Sequence, residues 1–192
     1  MTPNWSEHHN QTKSYPRHSQ LLEALEYVKS RGKAIDVGAG NLNDACYLLE
    51  HGFDVIVVDI EKSILKIAEE INSSNLHCHI SSFADFDFPQ NTFDFVSAMF
   101  SLPFNPPDTF DMVFANIKQS LTKGGIFCGQ FFGPKDEWSS NPNMTVHSKE
   151  QVESLLADME VISIKEVEKD ATLADGSPHH WHVFHVIAKR YE

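Results

Sequence analysis

The chain has 192 residues, 41% of them apolar, with a net charge of −12. That is enough to bury one ordinary core without disulfides or metal, and it is not the composition of a disordered chain. Its apolar runs, such as Val55–Val58, are too short to cross a bilayer, and no Lys/Arg stripe offers a phosphate-binding surface, so neither a membrane nor a nucleic acid is expected as partner. The N-terminus has no basic start and no apolar stretch, and Cys46, Cys78 and Cys128 stand far apart. Both features point to a cytoplasmic protein without a disulfide framework.

Residues 1–18 are polar and aromatic and are read as an arm and candidate lid, followed by a helix over Leu21, Leu22, Leu25 and Val28 with Ser19 as its cap. Lys33–Gly38 and Asp54–Asp59 are β-branched runs of the kind found in buried parallel strands. Between them Asn43–Glu50 is helical in composition, with Gly52 at the C′ position. Ser63–Ile71 carries Ile64, Ile67, Ala68 and Ile71 at helical spacing, Leu76–Ile80 is a third strand, and Phe93–Met99 a fourth. Phe110, Val113, Phe114, Ile117 and Leu121 form a helical stripe that ends at Gly124-Gly125, and Gly125–Phe132 reads as the fifth strand. Then Ser148–Gln151 is a capping box before Val152, Leu155 and Leu156, and Glu160–Lys169 and Trp181–Lys189 are strands joined by the turn-rich Ala174–Pro178. The expected fold is a single domain of α/β class, a doubly wound, mostly parallel sheet with an antiparallel C-terminal hairpin. Residues 19–133 would bind the ligand and 134–192 would form the substrate side.

Chemistry concentrates in Ala34–Asn43, a strand that ends in a glycine-bearing turn before a helix. Gly38 and Gly40 leave no Cβ, so a ligand can approach the backbone at the carboxyl ends of the strands. Asp59, at the end of the next strand, is placed to accept hydrogen bonds from a ribose. A nicotinamide dinucleotide fits less well, since the third glycine of G-x-G-x-x-G is missing and Asp36 would set a negative charge near a pyrophosphate. A ligand with an ammonium and a sulfonium suits that carboxylate better.

These residues resemble motif I of the class I S-adenosylmethionine (SAM)-dependent methyltransferases, E/D-x-G-x-G-x-G, with Asn41-Leu42 departing at the last glycine. Val57-Val58-Asp59, Phe86–Val96 and Leu121–Gly125 resemble three further stretches of the family, in the right order. The resemblance extends to small, TehB-like branches acting on small molecules. It implies that Asp36, Gly38, Ala39 and Gly40 hold the methionine part of SAM, that Asp59 holds the ribose hydroxyls, and that Ile60 lies against adenine. Ser82 falls where many members carry an Asp for the adenine amino group, with Phe83 beside it and Asp85 as the alternative. Phe100 would sit near the methyl donor.

Methyl transfer from a sulfonium is an in-line displacement, and a general base is needed only for an acceptor that is protonated at neutral pH. His147, His180 and His182 are the candidates. The run His179–His185 places His180 and His182 on one strand face and His185 on the other, without the clustered Cys or carboxylates of a metal site, so no metal is expected. Asn105-Pro-Pro-Asp108 is similar to a motif of amino-group methyltransferases but lacks its terminal aromatic, and it reads better as a helix start capped by Asp108. The expected activity is methyl transfer from SAM to a small thiol, chalcogen oxyanion, amine or hydroxyl, by a monomer or homodimer. A SAM-binding regulator without activity, a protein or RNA methyltransferase, and a nicotinamide-dependent oxidoreductase are the alternatives.

Overall fold

Seven strands form one sheet in a computed structural model that describes residues 18–191. All of the expected arm except His18 therefore lies outside the described residues. Helix α1 spans Ser19–Leu25, β1 Lys33–Val37, α2 Asn43–Glu50, β2 Asp54–Asp59, α3 Ser63–Ile71 and β3 Leu76–Ile80. Strand β4 spans Phe93–Ala98, α4 Pro107–Ser120, β5 Leu121–Phe132, α5 Lys149–Leu155, β6 Met159–Thr172 and β7 Pro178–Arg190. The strand order is β3-β2-β1-β4-β5-β7-β6, with β1 to β5 parallel and β7 and β6 antiparallel. The expected doubly wound sheet with a reversed edge is thus present. The chain turns back past β1 to place β4 on its other side, and the carboxyl ends of β1 and β4 form the switch point where such sheets take ligands.

Strand alternation sends residues to two apolar layers. Ile35, Val37, Val96, Phe127, Phe131 and Phe184 pack under α4 and α5 with Phe110 and Phe114. Ala34, Val55, Val57, Phe95 and Cys128 pack against Leu21, Leu48 and Phe53 on the other side. Burying each large side chain stabilises the fold by about 1.5–3 kcal/mol before entropy is charged against it. A third cluster, Phe132, Met144 and Val183 with Phe100, Phe104, Trp138 and Trp181 against it, closes the carboxyl end of the sheet near the hairpin.

Four boundaries differ from the sequence reading. Helix α1 is preceded by His18 as N-cap with no side-chain cap bond, and Ser19 is its first helical residue. The His18 ring is engaged elsewhere, donating to Asp44 Oδ2 at 2.7 Å. Helix α4 takes Pro106 as N-cap and Pro107 at its first position, so Asp108 lies inside the first turn. There its charge favours the positive end of the helix dipole. Strand β5 begins at Leu121 instead of Gly125, because Gly124, at φ +77°, sits in a register shift of the ladder between Phe93 and Phe95 instead of ending a helix. The hairpin strands run longer than expected, pairing from Met159↔Arg190 to Thr172↔Pro178. The Ser148 capping box is formed, with Gln151 N–H donating to Ser148 Oγ at 3.3 Å and Ser148 N–H to Gln151 Oε1 at 2.7 Å.

Candidate active site

The glycine turn at the end of β1 is held by its neighbours. Gly38 N–H donates to Val58 O at 2.7 Å, joining the loop to β2. Asp59 is buried and accepts from Gly40 N–H through Oδ2 and from Glu61 N–H through Oδ1, both at 2.9 Å. Each carboxylate oxygen retains a second lone pair for a further donor. Gly38 and Gly40 have φ of +78° and +50°, the left-handed region where a Cβ is strained. Leu42 follows at φ +62° with its side chain fully buried. The position that is glycine in the motif therefore keeps glycine's conformation here, at a cost of roughly 1–2 kcal/mol that the buried leucine side chain offsets.

The bare backbone at Gly38 also serves the protein's own packing. A Cβ there would lie 2.3 Å from Ser101 Cβ and 3.2 Å from Phe83 Cζ. The missing side chain lets the loop after β4 pack onto β1, and the Ser101 hydroxyl donates to Val37 O. Beside this turn lie buried carboxylates.

Those carboxylates are three. Asp36 is 2% exposed, Asp44 and Asp59 are also buried, and Asp36 Oδ2 and Asp44 Oδ1 have no hydrogen-bond partner among the described residues. Burial first, then the Asp44 charge and more weakly that of Asp59, hold the Asp36 carboxyl well above the usual range, against an opposing pull from the Ser97 hydroxyl. Buried acceptors without donors are costly, and a cation relieves both the missing bond and the repulsion. The sequence reading missed Asp44, although an acid in the first turn of the helix after a glycine loop is a legible signal.

The remaining expected positions rim this loop. Ile60 follows Asp59 and is 60% exposed, an apolar side chain open to stacking. Ser82 and Asp85, the two candidates for an adenine contact, form one unit, with Ser82 Oγ donating to Asp85 Oδ2 at 2.6 Å. Phe83 packs against the core and Gly38. Next to Ser82 an open cleft of about 620 Å³ is lined by Asn105, Pro106, Pro107, Asp108 and Thr109. Asn105 Nδ2 donates to Pro106 O and Thr109 Oγ1, both at 3.1 Å, so its amide is committed to the start of α4.

Phe100 carries φ +51°, uncommon for an aromatic residue and a cost of about 1–3 kcal/mol that neighbours must hold in place. Its N–H donates to Gln130 Oε1 at 2.6 Å. Its ring lies 5.6 Å from His18, 5.8 Å from Trp181, 6.0 Å from His185 and 6.5 Å from Phe132. His18 thus bridges Asp44 and Phe100.

Of the three expected bases, His180 and His182 are each held by a neighbouring carboxylate. His182 accepts from Lys135 N–H through Nδ1 at 3.2 Å and donates through Nε2 to Glu166 at 3.0 Å, leaving no lone pair. His147 is buried against Phe110 and Phe131, and burial lowers its pKa. His180 is held by Asp170 at 2.7 Å, and that bond raises its pKa. Both β7 histidines lie on the sheet face opposite Trp181 and His185. Nearby, His179 donates to Asp136 at 3.1 Å between Trp138 and Trp181, a contact of the fold. Among the described residues no three His, Cys, Asp or Glu gather as for a metal, and no helix is long and apolar enough to cross a membrane.

Comparison with known proteins agrees with this geometry. Residues 34–125 match a family model described as a methyltransferase domain. No curated protein matches the chain in sequence. Among solved structures, TehB from Haemophilus influenzae superposes with a TM-score of 0.77 at 15% identity, covering 96% of this chain and 67% of that one. The N-methyltransferase NodS from Bradyrhizobium japonicum WM9 gives 0.72 at 12% identity over the full length of both chains. The 1,6-didemethyltoxoflavin-N1-methyltransferase of Burkholderia thailandensis, crystallised with bound 1,6-didemethyltoxoflavin and S-adenosylhomocysteine, gives 0.68 at 17% identity, covering 97% of this chain and 85% of that one. Residues 34–125 thus match a methyltransferase domain, and the chain shares the fold of these methyltransferase structures.

Proposed function

We propose that the chain binds SAM at the carboxyl ends of β1, β2 and β4 and transfers its methyl group to a small-molecule acceptor. The observation that carries this reading is the pair of buried carboxylate oxygens, Asp36 Oδ2 and Asp44 Oδ1, left without donors beside the glycine turn. They fit the ammonium of the methionine moiety. Asp59 keeps lone pairs for ribose hydroxyls, Ile60 offers an apolar surface to adenine, and the Ser82–Asp85 unit supplies a polar edge. When bound, SAM supplies a methyl group activated by its sulfonium. The protein's part is to desolvate and align: Phe100, Trp181 and Phe132 wall the acceptor side, and the fixed loop holds the donor in one pose.

A small-molecule acceptor is favoured because residues 18–191 form one sheet with its helices, and because the charge is −12 without a basic patch. Melting curves with SAM, S-adenosylhomocysteine and NADH test the donor site. A ligand bound by the native state alone raises the melting temperature, by about 2.7 kcal/mol of added stability at a hundred times its Kd. SAM and S-adenosylhomocysteine are expected to shift the transition and NADH is not; a shift by NADH alone would overturn the reading.

A further inference from the structure

His185 lies on the face of β7 that carries Trp181 and Val183, and the cross-strand ladder sets it beside Gln130 of β5 and Lys165 of β6. Its ring belongs to a buried chain of amides whose orientation follows from their partners. Gln20 Nε2 donates to Val186 O at 2.9 Å and Gly129 O at 3.2 Å, which leaves Gln20 Oε1 as an acceptor. That oxygen takes Gln130 Nε2 at 2.6 Å and His185 Nδ1 at 2.8 Å. Nδ1 must therefore bear the proton, and the Nε2 lone pair is free of any hydrogen bond among the described residues. The other end of the same chain, Gln130 Oε1, fixes the strained backbone of Phe100, whose ring stands 6.0 Å from the imidazole.

We propose that His185 is a catalytic residue, its Nε2 accepting the proton of a hydroxyl on a planar acceptor of phenol type as that oxygen is methylated. This rests on the SAM reading of the site above and adds to it the class of acceptor. In the step, a lone pair of the hydroxyl oxygen forms the new oxygen–carbon bond while the carbon–sulfur bond of the donor breaks. The electrons of that bond return to sulfur, which leaves as a neutral thioether. The hydroxyl proton passes to His185 Nε2, its bonding pair staying on oxygen, and the products are a methyl ether and an imidazolium that later loses its proton to water.

Three observations select the acceptor. The imidazole stands in an aromatic cluster, 6.0 Å from the Phe100 ring, which itself packs on Trp181 and Phe132 at 5.8 and 6.5 Å, and such a surface suits a flat molecule. Charges facing the imidazole from its neighbours are cationic: Lys165 and Lys169 on β6 and, when protonated, His18 before α1, while β5 contributes the neutral Gln130. They disfavour an acceptor that carries its own positive charge, such as an ammonium. Burial foremost, and then these cations, lowers the His185 pKa to about 4, so the ring is neutral at physiological pH. A ring of such low basicity does not strip an aliphatic ammonium, and a thiolate needs no base. It does accept the proton of an oxygen made acidic by its forming bond to carbon.

The test uses the full chain labelled with ¹⁵N-histidine and saturated with S-adenosylhomocysteine, whose binding is first established by calorimetry. On titration with 4-methylphenol, the His185 Nε2 resonance is expected at the unprotonated position and to move, while that of His182 stays and benzylamine moves neither. With SAM in place of the product, 4-methylanisole is expected to form, at a rate lowered about 100-fold or more in His185→Phe with product affinity within about threefold of wild type. His185→Gln, which can still bond the amide chain, is expected to fold and to be equally slow. An Nε2 that carries the proton, or does not move, overturns the proposal, as does 4-methylphenol left unmethylated or methylated at the wild-type rate by either variant. Failure of S-adenosylhomocysteine to bind folded wild type would instead remove the donor site itself.

Discussion

Asp59 Oδ2 accepts the N–H of Gly40 at 2.9 Å, so the carboxylate that ends β2 also sets the shape of the turn that ends β1. The same side chain takes the Glu61 N–H, and it is buried. A group placed to bind a ligand is thereby structural as well, and the two roles predict coupled losses.

Asp59→Ala leaves the N–H groups of Gly40 and Glu61 without their acceptor and is expected to destabilise the ligand-free protein by about 1–3 kcal/mol. Asp59→Asn keeps one carbonyl oxygen and is expected to cost less. Urea denaturation of both variants checks the order; equal stability of Asp59→Ala and wild type would show that the clamp contributes nothing.

Gly38 tests whether the turn packs as described. Gly38→Ala places a Cβ 2.3 Å from Ser101 Cβ at a φ of +78°, so both steric overlap and backbone strain act. A loss of about 2–4 kcal/mol is expected. Ser101→Gly in the same chain removes the overlap and the hydroxyl bond to Val37 O, and is expected to restore only part of the loss, since the φ penalty remains. Melting temperatures of the single and double variants read this directly; no rescue would mean that the overlap is relieved elsewhere.

The pH dependence follows from His185. Its folded pKa is lowered to about 4, against about 6.5 unfolded, so between these values the unfolded chain binds a proton that the folded chain refuses. Stability therefore falls as pH drops from about 6.5 to about 4 and receives no further change from this group below that. Because the ring is partly open to solvent, a contribution of about 1 kcal/mol is expected. His147, whose pKa burial also lowers, adds in the same direction. Denaturation of wild type and His185→Gln across this window is expected to show a flatter curve for the variant.

Much of the fold was legible because its signals are local. Alternation of β-branched runs with helical stripes placed β1 to β5, and Ser148–Gln151 announced α5. The glycine turn and Asp59 could be read as a unit because motif and strand end are adjacent in a parallel pair. What escaped the sequence depends on contacts distant along the chain. Gln20 reaches His185 across 165 positions, and no local pattern marks either partner. The preference for His147, His180 and His182 rested on ordinary imidazole basicity, which gives no sign that Lys135 and Glu166 occupy both nitrogens of His182. The packing role of Gly38 escaped for a related reason, since a bare backbone serves a neighbouring Ser101 as readily as a ligand.

Asp36 offers the most direct measurement. Its carboxyl is held well above the usual range mainly by burial and by the Asp44 charge, so the folded state favours the protonated form. A raised pKa stabilises at low pH, and that contribution is lost as pH rises through the folded value, so the ionised group is a burden on the ligand-free protein at high pH. Asp36→Asn is accordingly expected to melt at a higher temperature than wild type at pH 8. Calorimetric titration of SAM into both proteins at that pH is expected to show saturable one-site binding by wild type and a loss of about 10- to 100-fold in the variant, the worth of a charged hydrogen bond. Equal affinity in the two, or no binding by folded wild type, would contradict a donor site built on this carboxylate.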